Sequence, residues 1–182
     1  MVKIILYFSS ILIFCSCGHH STIHLPSDLG EYTFNKCGRL DENKIDYEKP
    51  KVIQFHSINM LKDDLRHTPY HKINEIVDEN PGWEFIYYCK CSLSDTIELI
   101  NVLQENDFPL PVIVDTSGVF LKENNLANKW TELGFICNQN NKCYGGGIVG
   151  SSLSSFDYQF EEAKAIMRYK SVRNIKKIQK QP

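Results

Sequence analysis

The chain predicts an α/β domain with a mixed central sheet and helices on both faces, and three observations predict it. Short apolar runs at 52–55, 83–88 and 111–114 alternate with stretches of helical spacing. A hairpin signal and a long C-terminal helical pattern follow them. The composition, 42% hydrophobic and 12% aromatic over 182 residues, suits one packed core rather than two domains of ordinary size.

Each element has its own local reason. Val52-Ile53-Gln54-Phe55 reads as a short buried strand. Residues 62–79 carry Leu65, Ile73, Ile76 and Val77 at helix-like steps, with Pro69 starting or breaking the helix, Thr68 as a cap and Asn80-Pro81-Gly82 as the stop. Trp83 opens an aromatic run that ends at Tyr88, a second strand. Ser92 or Ser94 caps a helix over 95–105, with Ile97, Ile100, Val102 and Leu103 on its buried side. Residues 111–114 form a third strand, closed by Asp115-Thr116-Ser117-Gly118, and 119–125 a short helical or irregular piece. Phe135-Ile136-Cys137 and Cys143-Tyr144 flank Asn138-Gln139-Asn140-Asn141-Lys142, a hairpin. The last helix spans 156–177, with Ile166, Met167, Tyr169, Val172 and Ile175 recurring every three to four residues.

The N-terminus reads as an address. Lys3 precedes an apolar run over 4–14, too short for a bilayer-spanning helix of about 20 residues and of the length of a secretory signal. Phe14-Cys15-Ser16-Cys17 then resembles a bacterial lipobox, although Phe14 stands where a small aliphatic residue is favoured. That resemblance implies a signal peptide over 1–16, cleavage after Ser16 and lipidation of Cys17. The alternatives are an ordinary signal peptide or a buried N-terminal strand. A lipoprotein cysteine carries several chains, each buried CH₂ contributing about 0.8 kcal/mol, so the mature chain stays on a membrane. Residues 17–50 read as a polar, lipid-anchored tether with one short strand near 31–34, and residues 51–178 as the domain.

Charge narrows the partners. Lys plus Arg number 20 and Asp plus Glu 22, a formal charge of −2, so no broad positive field is present to hold nucleic acid. The expected partners are membrane lipid, through the N-terminal cysteine, with an envelope protein as a further candidate. The expected location is the bacterial cell envelope, on the outer or inner membrane, with the domain in the periplasm or at the cell surface. An oxidising envelope allows disulfides among the five cysteines that follow Cys17.

The order of elements resembles the thioredoxin-like fold, a three-layer sandwich, in the version with an added strand found in peroxiredoxin-like and thiol–disulfide-reductase lipoproteins. The segments that carry the resemblance are Lys51-Val52-Ile53-Gln54-Phe55 for the first strand, Phe108-Pro109-Leu110-Pro111-Val112-Ile113-Val114-Asp115 with Thr116-Ser117-Gly118-Val119-Phe120 for the added strand and its turn, and Gly134-Phe135-Ile136-Cys137 with the residues to Lys142 for the hairpin. In active members of that family a Cys-x-x-Cys follows the first strand, at a helix N-terminus that lowers a thiol's pKa. Here the matching stretch is His56-Ser57-Ile58-Asn59-Met60, and no cysteine lies between Cys37 and Cys89. Active members also keep a cis-proline before the hairpin strand. Here Trp130-Thr131-Glu132-Leu133-Gly134 stands there, without proline. The family's catalytic residues therefore have no counterpart, and no catalytic residue is assigned. The expectation is a redox-degenerate binding or structural module, not an enzyme.

The alternative is a thiol–disulfide oxidoreductase using Cys89 and Cys91. Cys89-Lys90-Cys91 ends the second strand, at the sheet edge where open α/β folds often bind ligands. A Cys-x-Cys disulfide is strained and readily reduced, which suits exchange; the bland reading is two inert residues at a corner, with Lys90 facing solvent. Cys137 and Cys143, flanking the hairpin turn, are candidate partners in a structural cross-strand disulfide, and Cys37, in the tether, is either the odd cysteine or one that reaches another chain.

Other motifs have bland readings. His19, His20 and His24 lie in the tether, where histidines more often do nothing, and neither a metal nor a cofactor is expected. Gly145-Gly146-Gly147 with Ile148-Val149-Gly150 lacks the Lys-Ser/Thr pair of a phosphate loop and reads as a flexible strand end. His56, His67 and His71 lack a serine elbow or paired carboxylates and read as packing or surface residues. Asp115 resembles the family's turn acid. The basic tail from Arg168 to Lys180 satisfies a helix dipole more readily than it binds anionic lipid.

Overall fold

The computed structural model describes residues 21–26, 32–40, 45–67, 70–126, 132–149 and 156–178. The expected signal peptide and Cys17 lipidation site, with His19, His20, Thr68 and Pro69, lie outside the described residues.

The strands are β1 (Thr33–Asn35), β2 (Gly38–Leu40), β3 (Lys51–Ser57), β4 (Glu84–Lys90), β5 (Val112–Val114), β6 (Glu132–Cys137) and β7 (Cys143–Gly146). They form one mixed sheet in the order β2-β1-β5-β4-β3-β6-β7. β3, β4 and β5 run parallel, and every other pairing is antiparallel. The helices are α1 (Ile58–His67), α2 (Tyr70–Glu79), α3 (Thr96–Glu105), α4 (Val119–Glu123) and α5 (Phe156–Ile178). The expected mixed α/β architecture is therefore present.

The crossovers explain where the helices lie. Connecting adjacent parallel strands with one handedness puts α1, α2 and α3 on the same face. Val52, Phe85, Tyr87, Cys89, Val112 and Val114 point to that face and pack on Leu61 and Leu65 of α1, Ile73 of α2, Leu99 and Leu103 of α3 and Phe156 and Phe160 of α5. The alternate residues Ile53, Phe55, Tyr88 and Ile113 point the other way, where Phe120 and Leu121 of α4 cover them together with Ile23. Phe120 stacks between Phe55, at 5.6 Å, and Tyr88, at 4.7 Å between ring centroids.

The sheet reaches further back than the sequence suggests. β1 and β2, inside the stretch read as a tether, form a hairpin that joins β5 through Phe34 and Val112. Residues 21–26 are also docked, with Thr22 bridging Lys142 beside β7. Two helix faces differ as well. Ile97 is 71% exposed, and Leu99, Val102 and Leu103 form the buried side of α3. On α5, Phe156, Phe160, Ala163 and Met167 meet the core and Tyr169 is exposed. The aromatic residues at the start of α5 face the core together with Met167, which sets the rotation of the helix and leaves Tyr169 outward.

Candidate functional site

The C-terminal ends of β3, β4 and β5 form one sheet edge, and the candidate groups gather there. β3 runs into α1 through His56 and Ser57. The Met60 N–H reaches the Ser57 hydroxyl over 3.4 Å, a long cap on the first turn of α1. The helix N-terminus that could activate a thiol thus holds a serine. The matching stretch before the hairpin carries no cis peptide among the described residues. His56 is buried, lies in register with Cys89 and stacks parallel to Tyr87 at 6.0 Å.

Cys89 and Cys91 occupy the same edge, one strand over. Cys89 is fully buried among the α1–α3 side chains and Cys91 is 7% exposed. Their thiols hydrogen-bond. Cys89, as donor, is raised well above the ordinary thiol range by that bond and by burial, while the same bond lowers Cys91. Beyond Cys91, Ser92 and Asp95 cap the turn into α3 through the bond from the Ser92 N–H to the Asp95 carboxylate (3.2 Å). Ser92 holds the Asp95 carboxyl below the usual carboxylate range. Asp115 donates its N–H to the Cys89 carbonyl (2.9 Å), and its carboxylate accepts the N–H groups of Val119 and Phe120, both at 3.0 Å. It is a turn residue, as its sequence position suggests. Lys62 of α1 pairs with Glu98 of α3 across the mouth of this edge.

Cys137 and Cys143 lie elsewhere, on the opposite face of the sheet and in register across β6 and β7. Both are buried, and all five described cysteines are thiols. Their thiols also share a hydrogen bond. It raises Cys137 well above the ordinary range, with burial adding, and brings Cys143 down to about 7. In β3, Lys51 lies opposite Cys137. Its ammonium is buried and donates to the carbonyls of Tyr47 (2.7 Å), Lys49 (2.8 Å) and Gln139 (3.2 Å). Burial lowers the Lys51 pKa, while Cys137 and nearby carboxylates oppose that shift.

The remaining motifs separate in space. His56 precedes the start of α1 and His67 ends it, about 15 Å of helix away, so these two positions do not meet at one site. His24 is held through its backbone by Asn124. Among the described residues no cluster of three His, Cys, Asp or Glu side chains is placed to hold a metal. The glycine run ends β7, and its role is close approach. A Cβ on Gly134 would lie 2.0 Å from the Gly147 carbonyl oxygen. Gln54, buried beneath, donates to that carbonyl (3.1 Å) and accepts from Val149 N–H (3.1 Å). No sequence signal singled out Lys51 or Gln54, because a lone polar residue in an apolar strand reads as a neutral interruption.

No family model matches the sequence, and no curated protein matches it. Solved structures do. A thioredoxin-like protein determined in its oxidised form is 17% identical, with a TM-score of 0.55 over 80% of this chain and 96% of that one. A protein of Chlorobium tepidum assigned as a thiol:disulfide interchange protein DsbE is 12% identical, with a TM-score of 0.54 over 79% of this chain and 96% of that one. The fold is thioredoxin-like.

Proposed function

We propose that this chain is an envelope lipoprotein, anchored through Cys17, whose thioredoxin-like domain is a binding or structural module without the family's dithiol chemistry. One observation carries this reading. The β3–α1 corner holds His56-Ser57-Ile58-Asn59-Met60, with a serine hydroxyl as its cap and no cysteine. Exchange needs an attacking thiolate and a second thiol to resolve the mixed disulfide, and that corner supplies neither. The apolar run, Ser16 and Cys17 support the anchor, and no described helix is long and apolar enough to cross a membrane.

Two measurements test it. Full-length protein expressed in a bacterial host with radiolabelled palmitate should take up label, and Cys17→Ser should lose it. Purified protein should not accelerate insulin reduction by dithiothreitol.

One observation favours a second reading. The lowered Cys91 thiol, bonded to Cys89 at the same sheet edge, is a candidate nucleophile with its resolving partner beside it. Insulin turnover that disappears in Cys89→Ser would establish this oxidoreductase and remove the first reading.

A further inference from the structure

The β6–β7 hairpin holds a thiol pair that the proposed function does not use. Cys143 N–H donates to the Ser21 carbonyl (2.9 Å), away from β6, and Asn138 N–H donates to the Lys142 carbonyl (3.0 Å) on the neighbouring rung. In an antiparallel ladder this makes Cys137 and Cys143 a non-hydrogen-bonded pair, the kind whose Cα atoms approach to about 4.5 Å and whose side chains are closest. A disulfide spans Cα separations of about 4.4–6.8 Å. The ladder shifts register by one residue just beyond this pair, between Ile136 and Cys137, so the two thiols face each other at an irregular end of the hairpin that can adjust to accept the bond.

The pair is covered. Ile23 N–H donates to the Asn141 carbonyl (2.8 Å), and the buried Ile23 side chain packs in the same apolar cluster as both cysteines. His24 N–H donates to the Asn124 side-chain oxygen (2.7 Å), and the Asn124 amide returns a bond to the His24 carbonyl (2.9 Å). Residues 21–26 thus lie over the hairpin edge as a clasp. It starts four residues beyond Cys17.

We propose that Cys137 and Cys143 are a reversible disulfide site, oxidised by a small disulfide compound and gated by the docked segment 21–26. Cys143, whose thiol donates to the Gly145 carbonyl (3.1 Å), gives up that proton and attacks as the thiolate, which the neighbouring Cys137 thiol stabilises by donating to it. Its sulfur bonds to one sulfur of the oxidant, the oxidant's S–S bond breaks, and a first thiolate leaves with the electron pair. Cys137 then loses its proton and attacks the Cys143 sulfur of the mixed disulfide, expelling the second thiolate. The buried Lys51 ammonium opposite Cys137 favours that deprotonation. The two leaving thiolates take up the two protons released. Two cysteine sulfurs are oxidised, and one disulfide is reduced to two thiols.

The test uses the reduced full chain and oxidised glutathione, with acid quenching, alkylation and peptide mass mapping. The expected result is a Cys137–Cys143 linkage that dithiothreitol reverses. Both cysteines alkylated at every glutathione ratio, or glutathione adducts without the internal bond, would overturn the site. Ile23→Asp puts a charge where a buried apolar side chain packed, loosens the clasp and should speed linkage at least ten-fold, whereas Asn124→Ala, which loses about one net hydrogen bond, should speed it about five-fold. Asn124→Ala removes the other anchor and provides the same comparison if Ile23→Asp does not fold. An unchanged rate in the folded variants would overturn the gate.

Discussion

Cys89 lies in β4 and Cys91 one residue beyond its end, whereas Cys137 and Cys143 face each other across β6 and β7. In both pairs one thiol donates to the other, so one is raised and its partner lowered. The difference lies in the backbone beneath them. Residues i and i+2 of an extended chain stand almost 7 Å apart at their Cα atoms, near the upper limit of disulfide span, so two such thiols can share a hydrogen bond while a covalent bond between them is strained. A non-hydrogen-bonded cross-strand pair is held at bridging distance by the ladder itself. Sulfur placed at the sheet edge therefore suits transient chemistry, and sulfur placed across the hairpin suits a bond that persists.

The largest effect that separates the regions should come from Gly134→Ala. The added methyl would collide with the Gly147 carbonyl at 2.0 Å, and backbone atoms must move to admit it. The cost should be about 3 kcal/mol, at the upper end for overpacking, measured by urea unfolding. A change under about 1 kcal/mol would show that β6 and β7 approach less closely than described. Closing the Cys137–Cys143 bond should act in the other direction. It should raise stability by about 2 kcal/mol on the chain-entropy model for so short a loop, seen as a higher melting temperature that reductant removes. A bond between Cys89 and Cys91 should give no such gain, because strain offsets it.

Acid–base behaviour sharpens the comparison further. Cys143 is lowered to about 7, below an ordinary thiol. Between those values the unfolded chain keeps a proton that the folded chain has released, so stability of the reduced protein rises with pH in that window. The rise should be on the order of 1 kcal/mol from pH ~7 to ~8, lost as pH falls through the folded value and absent in Cys143→Ser. Above the unfolded value Cys137 acts oppositely, since folding holds its proton, and stability should turn down again. Parallel pH profiles of wild type and Cys143→Ser would remove this linkage.

The sequence made both pairs visible for different reasons. Cys137 and Cys143 bracket Asn138–Lys142, a turn whose residue types fix the strand register, so their pairing follows from local chemistry. Cys89 and Cys91 stand out as a motif, but their hydrogen bond and burial depend on α1 and α3 packing over them. The docking of residues 21–26 and of the β1–β2 hairpin was not legible. Those polar stretches owe their order to β7, Asn124 and β5, contacts distant in sequence that carry no local period. Lys51 escaped for a similar reason, because the carbonyls of Tyr47, Lys49 and Gln139 that solvate its ammonium become neighbours only in the folded chain.

The smallest predicted effect tests the edge pair's surroundings. Ile97 and Leu93, 71% and 50% exposed, stand where the chain leaves Cys91 and enters α3. Helical spacing alone assigns Ile97 to the core. The Ser92–Asp95 cap instead sets the rotation of the first turn so that Leu99 and Leu103 face inward and Ile97 outward. A side chain so exposed has little burial to lose, so Ile97→Ser should change unfolding free energy by less than about 0.5 kcal/mol. A loss above about 1 kcal/mol, measured on dilute monomer, would mean that α3 is rotated and Ile97 buried. The wall over Cys89 and Cys91 would then differ from the one described, and with it the contrast between a covered edge pair and a clasped hairpin pair.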